Sequence, residues 1–367
     1  MSWLVSLAWL LVGVAVAGAA FVGWVWAIRR LTRPGPDGSR HLRARCADGW
    51  SLAVYHRAAA PRRFVEPVVL CHGLAANRYN FDLDPPYSLS AFLADAGFEC
   101  FVLEWRGTGD SRPQPAGRKP MQYTVDDHID QDGPTAIDLA LAETGAPRAF
   151  WVGHSLGGLV GYAVAQGSRA DALAGLVTIG SPVALDPGPF VRRLLGLGLL
   201  LSHPWAFRHE LLSAAFAPLA GRLHVAAADV LANTREIEPH VQRQLLAHQI
   251  ASIGRPMLLQ LADWVRTGSF RSFDRRRDYR AGLAKVRAPV LCTAGSADRM
   301  APPARVLAAF DELGSTDKTA VVFGSEAGHA AEYGHADLTF GRCAPAEVYP
   351  TISAWLEARA TRIIPAP

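Results

Sequence analysis

The segment spanning residues 151–158 constrains the fold of this chain more than any other part of its sequence. It places Ser155 between Gly153 and Gly157, in the spacing Gly-x-Ser-x-Gly, after a short apolar run and before a run of small residues. This order predicts a strand, a tight turn and a helix, with the serine on the turn. Small neighbours are needed because the turn brings the flanking backbone segments close together. The segment therefore predicts a nucleophile elbow, and a glycine-rich helix start capped by serine is the simpler alternative.

The composition is that of a globular chain rather than of a disordered or nucleic-acid-binding one. Half of the 367 residues are hydrophobic, enough to bury one large core and an inserted subdomain. The formal net charge is only +4 and the sequence has no basic stripe with interleaved aromatic residues, so we expect no nucleic-acid partner. No metal site or cofactor is predicted. The five cysteines have no metal-ligand spacing and are expected to be reduced and buried: Cys46, Cys71, Cys100, Cys292 and Cys343.

The N-terminal segment is a separate unit. Residues 2–28 contain no charged side chain, and at about 1.5 Å per helical residue they can cross a hydrocarbon core of about 30 Å. We predict a transmembrane anchor over residues 1–30 that contacts the membrane through residues 3–28. A cleavable signal peptide is the alternative, but neither a basic start nor a small-x-small cleavage site is clear. Tryptophans lie towards both ends of the segment, as at membrane interfaces: Trp3, Trp9, Trp24 and Trp26.

Positive charge follows the apolar segment and does not precede it. The positive-inside rule then predicts a single-pass membrane protein whose downstream domain lies on the cytoplasmic side. Residues 31–41, which include a stretch rich in proline and glycine, are predicted to link the anchor to that domain. The arginines that follow the segment are Arg29, Arg30, Arg33, Arg40, Arg43 and Arg45.

Beyond the linker, short apolar runs alternate with helical stretches. Asp48 and Gly49 form a hairpin signal, so the domain is predicted to open with an antiparallel ribbon. From residue 181 to about 282 only helix-like stretches occur. The predicted fold class is α/β, a mostly parallel central sheet flanked by helices, with core residues 42–182 and 283–360 and an inserted helical cap at residues 183–282. The apolar runs typical of buried parallel strands are residues 67–71, 99–103, 149–152, 175–179, 289–293 and 319–323.

Several blocks, in the same order along the chain, resemble the acid lipase family, which includes the gastric and lysosomal lipases, within the α/β-hydrolase superfamily. The least generic block is Tyr-Gly-His-Ala-Asp-Leu-Thr-Phe-Gly at residues 333–341. The similarity covers roughly residues 67–355 and leaves the apolar N-terminal segment outside it. It implies the α/β-hydrolase fold and acyl-transfer chemistry on a serine. The blocks are residues 71–77, 88–98, 138–145, 153–157, 264–274, 333–341 and 344–349.

A serine hydroxyl is protonated at neutral pH, so Ser155 needs a neighbouring base and a carboxylate that orients the base. The implied fold supplies them in the chain order Ser, Asp, His. Asp298 lies just beyond the strand at residues 289–293, on a turn before a helix, where members of the family carry their acid. A helix cap is the alternative role for Asp298. Asp186, after the preceding strand, is the second candidate for the acid.

The base has two candidates. A generic hydrolase pattern favours His329, which comes soon after the last predicted strand, whereas the resemblance points to His335, which we favour. The oxyanion hole needs two preorganised backbone N–H groups where negative charge develops. The resemblance assigns them to Leu74 and Leu156.

Together these features predict a membrane-anchored serine hydrolase that cleaves carboxylic esters. Apolar stretches in the predicted cap favour lipid or long-chain acyl esters as substrates, although the same stretches could form the core of the cap itself. Acyl transfer to an acceptor other than water is the first alternative, because water exclusion is a property of the closed site. A non-catalytic binding protein on the same scaffold is the second. The sequence does not define an oligomeric state.

Overall fold

The computed structural model of the chain describes residues 2–36, 38–113, 121–183, 188–202, 209–224 and 226–364. Its helices, in chain order, are α1 (Ser2–Leu31), α2 (Leu89–Ala96), α3 (Val125–Asp127), α4 (Gly133–Thr144), α5 (Leu156–Val164), α6 (Gly188–Leu201), α7 (His209–Phe216), α8 (Pro239–Gln244), α9 (Arg255–Thr267), α10 (Pro303–Glu312), α11 (Asp337–Phe340) and α12 (Ala344–Glu357). Two π-helical turns, His128–Asp132 and Leu245–Gln249, follow α3 and α8.

One sheet organises these helices. Its strands are β1 (Arg40–Arg45), β2 (Trp50–Arg57), β3 (Val68–Cys71), β4 (Cys100–Glu104), β5 (Arg112–Pro113), β6 (Ala149–His154), β7 (Leu173–Ile179), β8 (Val290–Gly295) and β9 (Lys318–Phe323). The spatial order is β1-β2-β4-β3-β6-β7-β8-β9, with β5 paired to β2. The pairs from β4 to β9 are parallel, and β2 is antiparallel to its neighbours. The predicted opening ribbon and the mostly parallel sheet are both confirmed.

The central strands are largely apolar because both of their faces are buried. Val69 and Cys71 of β3 join one buried cluster, to which α4, α5 and α10 also contribute. Val68 and Leu70, the alternate residues of the same strand, join a second cluster with α2 and α12. Such double coverage by helices is what makes parallel strands appear as continuous hydrophobic runs in a sequence.

The chain between β7 and β8 is helical. It carries α6 to α9, and over its described residues it forms no strand, only an isolated bridge between Arg271 and Asp278. This agrees with an inserted helical segment, while the cap boundaries at residues 183 and 282 stay a prediction. The helix α9 is part of the core as well, because Met257, Leu261 and Trp264 join the same buried cluster as α5.

Helix α1 is the one described helix that is long and apolar enough to cross a membrane; a signal sequence would meet the same criteria. Its described apolar side chains between residues 3 and 22 are exposed. Near its C-terminal end, however, Val25 and Ile28 are buried against Ala214, Ala217 and Ala247. The last turns of α1 therefore pack on the helical segment between β7 and β8.

Candidate active site

Four neighbouring strands end at the same edge of the sheet, and the turns beyond them carry the candidate residues. Cys71 of β3 pairs with Gly153 of β6, and His154 of β6 pairs with Ile179 of β7. Ile179 also pairs with Thr293 of β8. The turns that follow these strands therefore lie side by side. In open parallel sheets this carboxyl edge is where ligand sites form.

Ser155 occupies the sharp turn between β6 and α5. Its φ of 53° and ψ of −116° form a conformation that L-residues rarely adopt. The surrounding backbone is so close that a Cβ atom at Gly153 would lie 2.4 Å from the carbonyl group of Gly157, and one at Gly157 would lie 2.0 Å from the carbonyl oxygen of Cys71. The serine side chain makes no capping hydrogen bond. The predicted strand, turn and helix are thus present, and Ser155 is partly exposed between buried neighbours.

Asp298 and His335 form a buried pair beside the elbow. Nδ1 of His335 donates to Oδ2 of Asp298 at 2.8 Å. The other carboxylate oxygen accepts the backbone N–H groups of Met300 and Ala301, at 2.8 and 2.7 Å. Burial disfavours the charged imidazole, but the Asp298 carboxylate outweighs it, so the pKa of His335 lies above its ordinary value. The pair therefore fixes the orientation of the imidazole ring.

The imidazole of His335 lies near the elbow. Its ring centroid is 4.9 Å from that of His154, the residue before Ser155, and its backbone carbonyl oxygen is 3.2 Å from Nε2 of His154. Over the described residues the His335 side chain bonds to Asp298, and no hydrogen bond joins it to the Ser155 hydroxyl. Catalytic hydrogen bonds are often long or poorly aligned without substrate and tighten only in the substrate complex.

The other histidine candidate and the other acid candidate are placed differently. His329 turns its Nδ1 towards the backbone of Gly324, 3.1 Å from the carbonyl oxygen, and its ring contacts Phe323. Across the described part of the chain it has no carboxylate partner. Asp186 lies outside the described residues. The structure therefore brings Asp298 and His335 together and leaves His329 in the preceding loop.

The loop after β3 approaches the elbow from the other side. A Cβ atom at Gly73 would lie 3.2 Å from Cβ of Ser155. Within the described ranges the backbone N–H groups of Leu74 and Leu156 donate to no other residue. His72 stabilises the loop: Nδ1 donates to the Gly73 carbonyl oxygen at 2.9 Å, and burial lowers the His72 pKa to about 3. Two backbone N–H groups on adjacent turns beside the elbow thus have no protein acceptor among the described residues.

Asn80 joins three parts of this edge. Its side-chain oxygen accepts the N–H of Gly73 at 3.0 Å and lies 3.0 Å from Nδ1 of His154. Its side-chain nitrogen lies 3.4 Å from the Thr339 hydroxyl on α11. Burial, followed by the effect of His335, lowers the pKa of His154 to about 3, so this ring is neutral. Asn80 and His154 therefore position the elbow, the loop after β3 and the segment that carries His335 relative to one another.

Two further residues position the Asp298–His335 pair. Gly180, with φ of 57°, follows β7, and a Cβ atom there would lie 3.2 Å from Nδ1 of His335. The carboxylate of Asp337 is buried and accepts the N–H of Gly334 at 2.6 Å and that of Asn233 at 2.8 Å. Burial raises the Asp337 pKa to about 6. Asp337 thus connects the His335 turn to the helical insertion.

The loop after β3 is also connected to the π-helical turn Leu245–Gln249. Nδ2 of Asn77 donates to the carbonyl oxygen of His248 at 2.6 Å. The N–H of Ala251 donates to the carbonyl oxygen of Ala75 at 2.9 Å. The turn therefore supports the loop that carries Leu74.

The C-terminal end of α1 reaches the same π-helical turn. Nε of Arg29 donates to the carbonyl oxygen of Ala247 at 3.0 Å. The Thr32 hydroxyl lies 3.2 Å from Nε2 of His248. Burial and the nearby Arg29 lower the pKa of His248 to about 4, so the imidazole in this contact is neutral. A short series of contacts thus connects α1 to the loop after β3.

The described residues form no group of three His, Cys, Asp or Glu side chains that could hold a metal ion. All five cysteines are free, four of them buried and Cys343 partly buried. Burial raises the pKa of the Cys71 and Cys100 thiols, which keeps them protonated.

Residues 66–336 match the family model for the alpha/beta hydrolase fold, and the chain belongs to this family. It is 25% identical to lipase member K of Mus musculus, over 84% of this chain and 85% of that protein. It is 32% identical to the gastric triacylglycerol lipase of Bos taurus, over 32% of each chain. A solved structure of a bacterial membrane phospholipase A has a TM-score of 0.55 at 17% identity and covers 98% of this chain and 99% of its own. The protein is thus an acid-lipase-like α/β hydrolase of the lipase and esterase type.

Proposed function

We propose that Ser155, His335 and Asp298 act as a catalytic triad for the hydrolysis of carboxylic esters. The observation that carries the proposal is the buried hydrogen bond between Asp298 and His335, 2.8 Å long, beside the turn that presents Ser155. A carboxylate in this position selects the imidazole tautomer with its proton on Nδ1 and leaves Nε2 as the basic atom.

The reaction proceeds through a serine ester. Oγ of Ser155 attacks the ester carbonyl while Nε2 of His335 takes the hydroxyl proton, and the same proton then passes to the leaving alcohol. Water, activated by the same imidazole, releases the carboxylic acid and restores the serine. The backbone N–H groups of Leu74 and Leu156 stabilise the oxygen that becomes negative, and the dipole at the start of α5 adds to the effect at Leu156.

We further propose that residues 1–30 anchor the protein in a membrane, that residues 31–41 link the anchor to a cytoplasmic catalytic domain, and that residues 183–282 form a cap over the site. Support comes from the length and composition of α1 and from the arginines that follow it. Because the similar proteins are lipases and a membrane phospholipase, we propose lipid or long-chain acyl esters as substrates.

The test uses the full chain in detergent micelles, because the last turns of α1 pack on the rest of the protein. Hydrolysis of p-nitrophenyl esters is measured from acetyl to palmitoyl for the wild type and for Ser155→Ala, His335→Ala and His329→Ala. We expect activity to rise with chain length and to fall by at least about 10⁴-fold in the Ser155 and His335 variants. His329→Ala is the matched control and should stay active.

Other outcomes would change the assignment. Loss of activity in His329→Ala with His335→Ala active would make His329 the base. Product analysis with an added alcohol separates hydrolysis from acyl transfer, since a transferase would form the new ester in preference to the free acid. A wild-type chain that neither turns over any ester nor reacts with a serine-directed phosphonate would refute the enzymatic proposal.

A further inference from the structure

The contact between α1 and α7 sets the level of α7 along the anchor. Nε1 of Trp24 donates to the carbonyl oxygen of Ala215 at 3.0 Å. Val25 and Ile28 are buried against the same region, whereas the described apolar side chains of residues 3–22 are exposed. The C-terminal end of α7 therefore lies level with Trp24, where α1 begins to pack on the rest of the protein.

The length of α1 relates this level to a bilayer. Trp3 and Trp24 are separated by a helical rise of about 32 Å at 1.5 Å per residue, close to a hydrocarbon thickness of about 30 Å. The side chain of Trp3 is 67% exposed and that of Trp24 is 50% exposed. Indole rings prefer the interface between hydrocarbon and headgroups. With Trp3 at one interface, Trp24 lies at the other, and α7 lies there with it.

The outer side of α7 is apolar. Leu212 and Phe216 of α7 and Leu219 of the 3₁₀ turn that follows it are between 43% and 54% exposed. Their spacing of four and three residues places them along one side of this helical segment. No charged residue occurs between positions 211 and 221. We call Leu212, Phe216 and Leu219 the apolar stripe. A stripe of this kind on a helix at interfacial depth suits the boundary between acyl chains and headgroups.

We propose that the apolar stripe inserts into the same bilayer leaflet that surrounds Trp24 of α1, so that the helical insertion rests on the membrane surface. This inference depends on the anchoring proposed above and goes beyond it, because anchoring by α1 does not by itself require α7 to enter the lipids. It also places at the membrane surface a contact that leads from α7 towards the site. The Ser213 hydroxyl of α7 donates to the carbonyl oxygen of Leu246, in the π-helical turn that supports the loop after β3. Esters that reside in the bilayer are then the substrates.

Fluorescence quenching in liposomes tests the insertion with the full chain. Single cysteines at Val12, Phe216 and Asp171 are labelled with bimane, in a Cys343→Ser background, and quenched by lipids with a nitroxide near the headgroup or deep in the acyl chain. Asp171 is exposed before β7, at the opposite edge of the sheet from Ser155, and is the control. We expect loss of fluorescence at Val12→Cys with the deep nitroxide, at Phe216→Cys with the shallow one, and none at Asp171→Cys.

The three labels separate the possible failures. Quenching at Val12→Cys with none at Phe216→Cys would overturn the insertion of the stripe and leave the anchor intact. No quenching at Val12→Cys would refute the anchoring, and the inference with it. Equal quenching at Phe216→Cys and Asp171→Cys would also contradict the inference, because it would show no preferred face.

Activity gives a second test. Phe216→Ser should raise the KM for an ester embedded in vesicles about fivefold, since an exposed aromatic ring no longer enters the interface. It should leave kcat/KM for a soluble short-chain ester unchanged, which shows that the fold and the site are intact. Ile364→Ser removes another exposed apolar side chain, near the C-terminus, and should change neither value. An unchanged vesicle KM in Phe216→Ser would overturn the inference even if hydrolysis itself is confirmed.

Discussion

The carboxyl edge of the sheet and the contact between α1 and α7 are held together by different means. At the edge, backbone segments interlock: Gly157 leaves no room for a methyl group, and the Asp298 carboxylate makes three hydrogen bonds while buried. At the contact with α1, Trp24 and Arg29 bond to backbone carbonyl groups, and Val25 and Ile28 are buried. The described apolar side chains of residues 3–22 on α1, and those of Leu212 and Phe216 on α7, stay exposed. Close packing fixes reacting atoms, whereas a few side-chain contacts permit adjustment. The fold therefore keeps the candidate catalytic residues apart from the region that packs on α1.

The largest effect that distinguishes the two regions is expected at Asp298. Asp298→Asn should lower kcat by about 10³- to 10⁴-fold, because an amide no longer selects the required tautomer of His335. The reaction needs a neutral imidazole, and the pKa of His335 is raised, so wild-type activity should fall as the pH drops through a value above the ordinary imidazole pKa of about 6.5. Profiles of kcat/KM against pH measure both effects.

The fall of kcat/KM at low pH provides the control for Asp298→Asn. Burial alone lowers the pKa of His335, while Asp298 and the more distant Asp337 raise it. The residual activity of Asp298→Asn should therefore persist to lower pH than that of the wild type. An acid limb that does not move would show that the carboxylate is not the partner that sets the titration.

A smaller effect is expected from a single methyl group at the elbow. Gly157→Ala should destabilise the protein by about 3 kcal/mol, because the added Cβ atom would lie 2.0 Å from the carbonyl oxygen of Cys71. Gly196→Ala, in α6, is the matched change in the helical insertion, where the new Cβ atom meets nothing within 4 Å. It should stabilise α6 by about 0.5–1 kcal/mol. Thermal unfolding in detergent measures both, and equal shifts in Tm would remove the contrast between the two regions.

The smallest effect is expected at the end of α1. Arg29→Met removes the hydrogen bond to Ala247 and loosens the turn that supports the loop after β3. We expect kcat for a soluble ester to fall about fivefold, equivalent to about 1 kcal/mol, with KM almost unchanged. Arg30→Met is the control, because Arg30 is exposed and its guanidinium lies over the ring of Trp26. Equal activity in the two variants would show that α1 does not influence the site.

Much of the fold followed from local patterns. The apolar runs predicted the parallel strands to within a few residues, and Asp48-Gly49 predicted the opening ribbon. β6 extends through His154, two residues beyond its predicted end, because the strand continues to pair with β7 up to the elbow. The elbow itself was predictable because its glycines and serine are adjacent in sequence. The candidate acid Asp298 and the candidate base His335 could be identified only from chain order and family resemblance.

The residues that position the site could not be identified from local patterns. Asn80 contacts His154 and Thr339, which lie 74 and 259 positions further along the chain. A glycine is required at position 180 because the side chains of His335 and Asp298, on two other turns, lie close to it. The sequence around Gly180 does not indicate this. The same holds for the packing of α1: the composition of residues 1–30 predicts a membrane anchor but does not indicate that its last turns contact Ala214 and Ala247. Long-range contacts of this kind have no local signature.

The position of β1 at the open edge of the sheet has a consequence for solubility. Arg40, Arg43 and Arg45 all lie on this strand, and all three are exposed. An unpaired strand edge invites another chain to add to the sheet, and long charged side chains along it oppose that addition. The charges of Arg40, Arg43 and Arg45 therefore oppose aggregation in which copies of the chain add strand by strand at β1.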